Sequence, residues 1–306
     1  MTGMNKLDRA ARIRLLRCLV DGSSVRATCR INDVAKQTVL KLLVDAGRMA
    51  AAHQDRAFRN LTCKRIQCDE IWSFIGAKEK NVPEEEKGAG RGDVWTWTAI
   101  DADTKLVPSW LVGSRDGGTA AEFIVDLASR LAHRVQITTD GHKPYLEAIE
   151  GAFGCDVDYA VLIKLYGNEG APEGAHRYSP AECTGAKKTI VQGNPDEAYI
   201  GTSHVERQNL TMRMNMRRFT RLTNGFSKKA ENHAAAVALH FWNYNFARIH
   251  QSLRITPAMA AGVSDRLLDL GDLVDLLEAD EAERAAANPI KPGRKPKRVQ
   301  DAGQAE

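Results

Sequence analysis

The apolar positions Leu7, Ile13, Leu15, Leu16, Leu19 and Val20 recur at helical spacing, and Asp21-Gly22 ends the run. Ser23 or Ser24 stands where it can cap a short second helix that runs through Ile31. Asn32-Asp33 predicts a tight turn, and Val34, Val39, Leu40, Leu42 and Leu43 then form the inner face of a third helix. Short helix, tight turn and second helix make the helix-turn-helix layout. Residues 54–63 read as a linker. Beyond it the texture changes. Arg65 to Ile75 (RIQCDEIWSFI), Asp93 to Asp101 (DVWTWTAID) and Lys105 to Val112 (KLVPSWLV) are rich in β-branched and aromatic residues. They predict three antiparallel strands, with a hairpin turn at 101–104. A helix follows over Gly118–His133, with Phe123, Ile124, Leu127 and Leu131 on one face. Arg134 to Thr139 is a buried strand, and Pro144 opens another helix, where its missing N–H costs nothing.

Tyr159–Tyr166 and Lys187–Gln192 look like strands within an insertion near 155–200, split by a Gly/Pro-rich loop. Residues 203–222 and 228–250 read as long helices. The order βββαβα, an insertion and then helices predicts an α/β chain: a mixed sheet flanked by helices, as in a ribonuclease-H-like core. The expected domains are a helix-turn-helix head at 1–58, a catalytic unit at 62–254, and an acidic helical segment with a basic tail at 255–306. The stretch NPIKPGRKPKRV in that tail is expected to be a disordered arm.

Charge changes the picture through its distribution. The net charge over 306 residues is only +4. Residues 1–60, however, carry twelve Lys/Arg against five Asp/Glu, and residues 204–254 carry nine against two. Residues 263–285 reverse the sign, with eight acids and two bases. Two basic blocks in a near-neutral chain suggest two surfaces for a polyanion. Lys36, Gln37, Thr38 and Lys41, near the start of the third helix, are of the types that reach base edges and phosphates. No apolar run of about 18 residues is present, so no membrane span is expected. The opening MTGMNKLDRAARIRLL lacks the features of a secretory signal, which favours the cytoplasm, associated with the nucleoid. The six cysteines are scattered and read as reduced packing residues; Cys63 and Cys68 have no second close pair to complete a zinc site.

Three carboxylates stand out. Asp69 lies mid-strand in an apolar run, where Asp is depleted and a buried charge costs several kcal/mol, of order, unless paired or metal-bound. By strict alternation its face also carries Gln67, Ile71 and Ser73, and Glu70 points the other way. Asp140 ends the buried strand just before Gly141, the place where α/β sheets put their sites. Glu206 sits early on a basic helix and is the only acid between Glu197 and Glu231. Arg213 lies two helical turns further on the same face. Together, Asp69, Asp140 and Glu206 make a hard oxygen set suited to two Mg²⁺ (or Mn²⁺) ions.

The stretches RIQCDEIWSFIGAK (65–78), TTDGHKPY (138–145), SHVERQNLTMRMNMRRFTRLTNGFSKK (203–229) and FWNYNFARIHQSLRITPAMAAG (241–262) carry a resemblance. Over about 65 to 262 the chain resembles DDE-class bacterial insertion-sequence transposases, most closely the insertion-sequence-one family. The resemblance implies metal-dependent strand cleavage and strand transfer at terminal inverted repeats. It implies DNA as partner at both element ends and target, and a homo-oligomer on DNA. It makes Asp69, Asp140 and Glu206 the catalytic and metal-holding acids, and Arg213, with Arg217 beside it, a contact to DNA. Two departures stand. No cysteine-rich zinc head precedes the core, and 66 residues separate Asp140 from Glu206, a long gap for the class. A helix-turn-helix regulator with a dead nuclease-like domain, and a ribonuclease H or resolvase, are the competing functions. Intact acids argue against the first, and a separate sequence reader against the second. Among other residues, Trp72, Trp95, Trp97, Trp110 and Trp242 read as core. His142, Lys143 and His204 read as surface or phosphate contacts, and Asn209 as a group near the metals.

Overall fold

The computed structural model describes residues 7–88, 90–166, 183–220 and 223–287. The basic arm expected at 288–299 and the Gly/Pro-rich loop of the insertion lie outside the described residues. The chain opens with α1 (Arg9–Val20), α2 (Val25–Asn32) and α3 (Lys36–Ala57). Asp8 caps α1 by accepting from the Ala11 amide at 2.6 Å, and Ser24 caps α2 by accepting from Ala27 at 3.1 Å. The α2–α3 turn is made by Asp33 at φ 51°, a left-handed position that Asp tolerates better than most residues.

The sheet follows: β1 (Arg65–Ile75), β2 (Gly92–Asp101), β3 (Ser109–Gly113), β4 (Val135–Thr139), β5 (Val157–Tyr166) and β6 (Cys183–Gln192). Helix α4 (Gly117–Arg130) precedes β4, and α5 (Pro144–Phe153) connects β4 to β5. The strand order is β3-β2-β1-β4-β5-β6. β1, β2 and β3 are antiparallel neighbours, β1, β4 and β5 run parallel, and β6 is antiparallel to β5. Residues expected to form an insertion therefore complete the sheet. The alternation of Val157, Tyr159 and Val161 is that of a core strand, and these side chains are buried. The remaining helices are α6 (Ser203–Asn215), α7 (Ala230–Trp242), the four-residue α8 (Pro257–Ala260) and α9 (Leu270–Ala287).

Three expectations need correction. The third strand starts only at Ser109, because Asn245 occupies the ladder positions upstream. Its amide accepts from Val107 N and donates to Val107 O, both at 3.0 Å. The helix expected over 203–222 stops at Asn215, before a 3₁₀ turn at Arg217–Phe219, and the one expected over 228–250 relaxes into a π turn at Asn243–Ala247. Finally, the head shares its core with the sheet. Leu15, Leu16, Val39 and Leu43 join Trp97, Phe123, Tyr159 and Trp242 in one apolar cluster. Gly47 makes that docking close, since a Cβ there would lie 2.5 Å from the Ala235 carbonyl oxygen.

Acidic α9 covers the basic head. Arg9 meets Asp275 at 2.7 Å, Arg12 meets Glu281 at 3.1 Å, and Arg48 meets Asp280 at 3.0 Å. Part of the positive excess in residues 1–60 is thus neutralised within the fold.

Candidate active site

The parallel register of β1 and β4 builds the site. Cys68 pairs with Thr139, the last residue of β4. The next residue on each strand is an acid, Asp69 on β1 and Asp140 after β4. β1 continues to Ile75 with β2 on one side, and β4 no longer flanks it on the other. The two carboxylates therefore stand side by side where the sheet opens, Asp140 at the carboxyl end of β4 and Asp69 in the middle of the longer β1.

Glu70 joins them. Carboxylate oxygens of Asp69, Glu70 and Asp140 all lie within 4.8 Å of one another. Alternation had placed Glu70 on the opposite face; past the end of β4 the strand edge is open, and both side chains reach the gap. The Glu70 side chain is 1% exposed. It accepts from Arg115 Nε at 2.7 Å and from the Tyr145 hydroxyl at 3.2 Å. Burial raises its pKa, and neighbouring Asp140 adds to this, while Arg115 and His142 oppose it.

Asp69 accepts from the Glu70 amide and from Asn209 Nδ2, both at 2.8 Å. Its pKa is pushed up to about 7, first by burial and then by the charge of Glu70, with Asp140 and Glu206 adding to the rise. Asp140 accepts from the His142 amide at 2.9 Å. The His142 ring packs on Trp97 and Tyr145, and Lys143 is exposed.

Glu206 enters from α6. Gln67 on β1 accepts from the His204 and Val205 amides at 2.8 and 3.2 Å, which ties the first turn of α6 to the sheet. Glu206 lies outside the 4.8 Å group, although its charge acts on Asp69. Its carboxylate accepts from Thr202 Oγ1 at 2.6 Å and pairs with Lys164 of β5. Its side chain is 41% exposed. The structure thus brings Asp69 and Asp140 together, adds Glu70, and holds Glu206 at the rim. Glu70, Lys164 and Arg115 were missed. The position of Glu70 follows from the β1–β4 register, which the sequence alone does not carry: a strand that outruns its parallel neighbour presents both faces at the overhang.

The remaining sequence candidates lie elsewhere. Lys36, Gln37 and Lys41 are exposed on α3, Thr38 is half-buried, and Lys41 pairs with Asp45 at 2.5 Å. Arg213 is half-buried in the last turn of α6, and Arg217 is exposed just beyond it. The His204 ring lies 3.4 Å from Lys105 Nζ, and Trp97 and Trp242 are fully buried.

No family model matches the chain, and no curated protein sequence does. Solved structures do. One chain of the cryo-EM piggyBac transposase synaptic complex with hairpin DNA is similar at 10% identity and TM-score 0.39, over 96% of this chain and 76% of that one. A chain of the simian T-cell lymphotropic virus intasome bound to PP2A regulatory subunit B56 gamma is similar at 14% and 0.36, over 84% and 74%. The Mos1 transposase paired-end complex with left transposon end is similar at 11% and 0.22, over 52% and 60%. At these scores the likeness carries no chemistry, which rests on this chain's own residues.

Those residues fit a hard divalent cation. Charges about 4–5 Å apart repel by roughly 3–4 kcal/mol per pair at an effective dielectric of about 20. A cation relieves that repulsion. Asn209 is buried against Asp69, and its Oδ1 has no hydrogen-bond partner. Carboxylate and amide oxygens are the donor set of Mg²⁺ and Mn²⁺.

Proposed function

We propose that the protein is a DNA transposase of the DDE class, acting at the ends of an insertion sequence. The observation that carries this reading is the meeting of Asp69, in the middle of β1, with Asp140, just past the end of β4, with Glu206 on α6 near enough to act on Asp69. The strand order, three antiparallel strands followed by two parallel ones, supports a ribonuclease-H-like reading of the sheet.

In this reading Asp69, Asp140 and Glu206 hold two Mg²⁺ (or Mn²⁺) ions. Bound there, the ions polarise a phosphodiester, activate a water or 3′-hydroxyl, and stabilise the leaving oxygen. The reaction forms one P–O bond to the attacking oxygen and breaks the P–O bond to the leaving 3′-oxygen, which takes up a proton. The chain's own groups set the geometry. Asn209 fixes the Asp69 carboxylate, and Gln67 fixes the N-terminus of α6. Arg213 and Arg217 hold phosphates beside the scissile one. Lys36, Gln37, Thr38 and Lys41 read the terminal inverted repeat. Two ends must be joined, so the working form is a homo-oligomer on DNA, with target DNA as second substrate. None of the described helices is long and apolar enough to cross a membrane.

The test is incubation of the full chain with duplexes carrying its own terminal repeats and Mg²⁺, resolved on a denaturing gel. Strand breaks at the repeat ends that EDTA abolishes are expected. Intact repeats under those conditions, with the protein bound to them, would overturn the reading in favour of a regulator.

A further inference from the structure

At the far end of α6 a groove of about 580 Å³ separates the helical head from the catalytic unit. Arg26 of α2 and Lys36 of α3 line one wall, and Arg217, Arg218 and Lys228 line the other. No Asp or Glu is among its described lining residues. The walls are held close: a Cβ on Gly22 would lie 3.2 Å from the Met214 carbonyl oxygen.

Two features separate this groove from an ordinary solvated basic face. Arg218 is half-buried, donates to Ser227 Oγ at 2.7 Å, and pairs with no carboxylate among the described residues. Burial pushes its pKa down to about 10, the mark of a cation short of compensation. Asn215, also lining the groove, holds its Nδ2 buried with no acceptor. A desolvated guanidinium and an unsatisfied amide donor both call for an anionic oxygen. The contrast with the rest of the head is informative. Arg9, Arg12 and Arg48 are neutralised by α9, whereas none of the five groove cations has an acidic partner among the described residues.

We propose that this groove seats the phosphodiester backbone of the DNA duplex on one side of the cleavage point. The inference rests on the transposase reading and specifies where the substrate runs. Glu206 and Asn215 are nine residues apart on one helix. At 1.5 Å per residue the groove lies roughly 14 Å along α6 from Glu206, about four base-pair rises of 3.4 Å. A duplex crossing the metal site along α6 would thus lay its next phosphates on Arg217, Arg218 and Lys228, with Arg26 and Lys36 closing from the head.

The test measures affinity of the full chain for a duplex of about 30 base pairs in EDTA, across salt concentrations. Each phosphate contact contributes about 0.9 to the slope of log K against log salt. Lys36→Ala with Lys228→Ala, both exposed positions, should lower the slope by about two and leave the melting temperature unchanged. Lys80→Ala with Lys87→Ala, exposed on the loop before β2, serves as the control pair and should leave the slope unchanged. Arg218→Lys keeps the charge and loses the fork, and should weaken binding while retaining the slope. Wild-type binding with an equal slope in the groove variant overturns the groove and leaves the transposase reading standing. Failure of the wild type to bind any duplex, with no cleavage in Mg²⁺, overturns both.

Discussion

Two glutamates flank Asp69, and the fold treats them differently. Glu70 is sealed in, 1% exposed, and clamped by Arg115 and Tyr145. Glu206 is 41% exposed and held by a lysine and a threonine at the rim. Both act on Asp69, and Glu70 acts more strongly. Proximity to Asp69 thus ranks Glu70 above Glu206. Adaptability ranks them the other way. A group already committed to a guanidinium and a phenol in a buried pocket has little freedom to accept a new partner. A rim carboxylate whose present partner is a flexible ammonium on a neighbouring strand can exchange it for a dication. The comparison casts Glu70 as the group that tunes Asp69, and Glu206 as a ligand that completes the site when a cation arrives.

The largest effects test the assignment of ligands. Asp69→Asn, Asp140→Asn and Glu206→Gln should each lower the Mg²⁺-dependent cleavage rate by at least about a hundredfold, beyond the roughly 10–100-fold loss typical of an outer-shell partner. DNA affinity in EDTA should stay close to wild type in all three. Glu206→Gln cleaving at the wild-type rate would falsify its role as a ligand and leave Glu70 as the third acid.

Glu70→Gln sharpens the same contrast. Metal binding needs ionised carboxylates, so Mn²⁺ affinity should fall as pH drops through about 7, where Asp69 takes a proton. Removing the Glu70 charge removes the largest electrostatic cause of that raised pKa. The midpoint of Mn²⁺ binding should move to lower pH, with affinity at pH 8 retained. Loss of affinity at pH 8 would instead make Glu70 a ligand.

The comparison also marks where the chain's sequence was legible. Asp140 could be placed because a buried strand followed by Asp-Gly has one ready interpretation in an α/β sheet. The β1 and β2 strands could be placed because they are long and rich in β-branched and aromatic residues. Glu70 could not, because alternation assumes a strand flanked on both sides, and β1 outruns β4 at that point. Lys164 meets Glu206 through a pairing that depends on the placement of β5 as a core strand, which hydropathy alone left as an insertion. Nor could the head be told from a separate domain. Its apolar stripes look the same whether they face one another or α7, and the acids of α9 that cover its arginines lie more than 200 residues away in sequence.

A smaller effect concerns stability away from the carboxylates. His240 is buried on α7, and burial pushes its pKa down to about 3. Between about pH 6.5 and 3 the unfolded chain binds a proton there that the folded chain does not. Stability therefore rises with pH across that window and is lost as pH falls through it, by up to about 1.4 kcal/mol per unit from this group. His240→Gln should flatten the dependence of urea-unfolding free energy on pH between 6.5 and 5. An unchanged slope would mean that the ring is hydrated in the native state.

The smallest effect addresses the Lys164 contact that holds Glu206 at the rim. If the ammonium occupies the carboxylate until a cation replaces it, the two compete. Lys164→Met keeps much of the stem and removes the charge, so Glu206 is freed without opening a cavity under β5. The pair is partly exposed, with side chains 30% and 41% accessible, and such pairs contribute about 0–1 kcal/mol. Mn²⁺ affinity should therefore rise by no more than about fivefold. Titrating Mn²⁺ at pH 8, above the raised pKa of Asp69, isolates the competition. A fall in affinity there would mean that Lys164 positions Glu206 for the metals instead of withholding it, and the rim pairing would then belong to the assembled site.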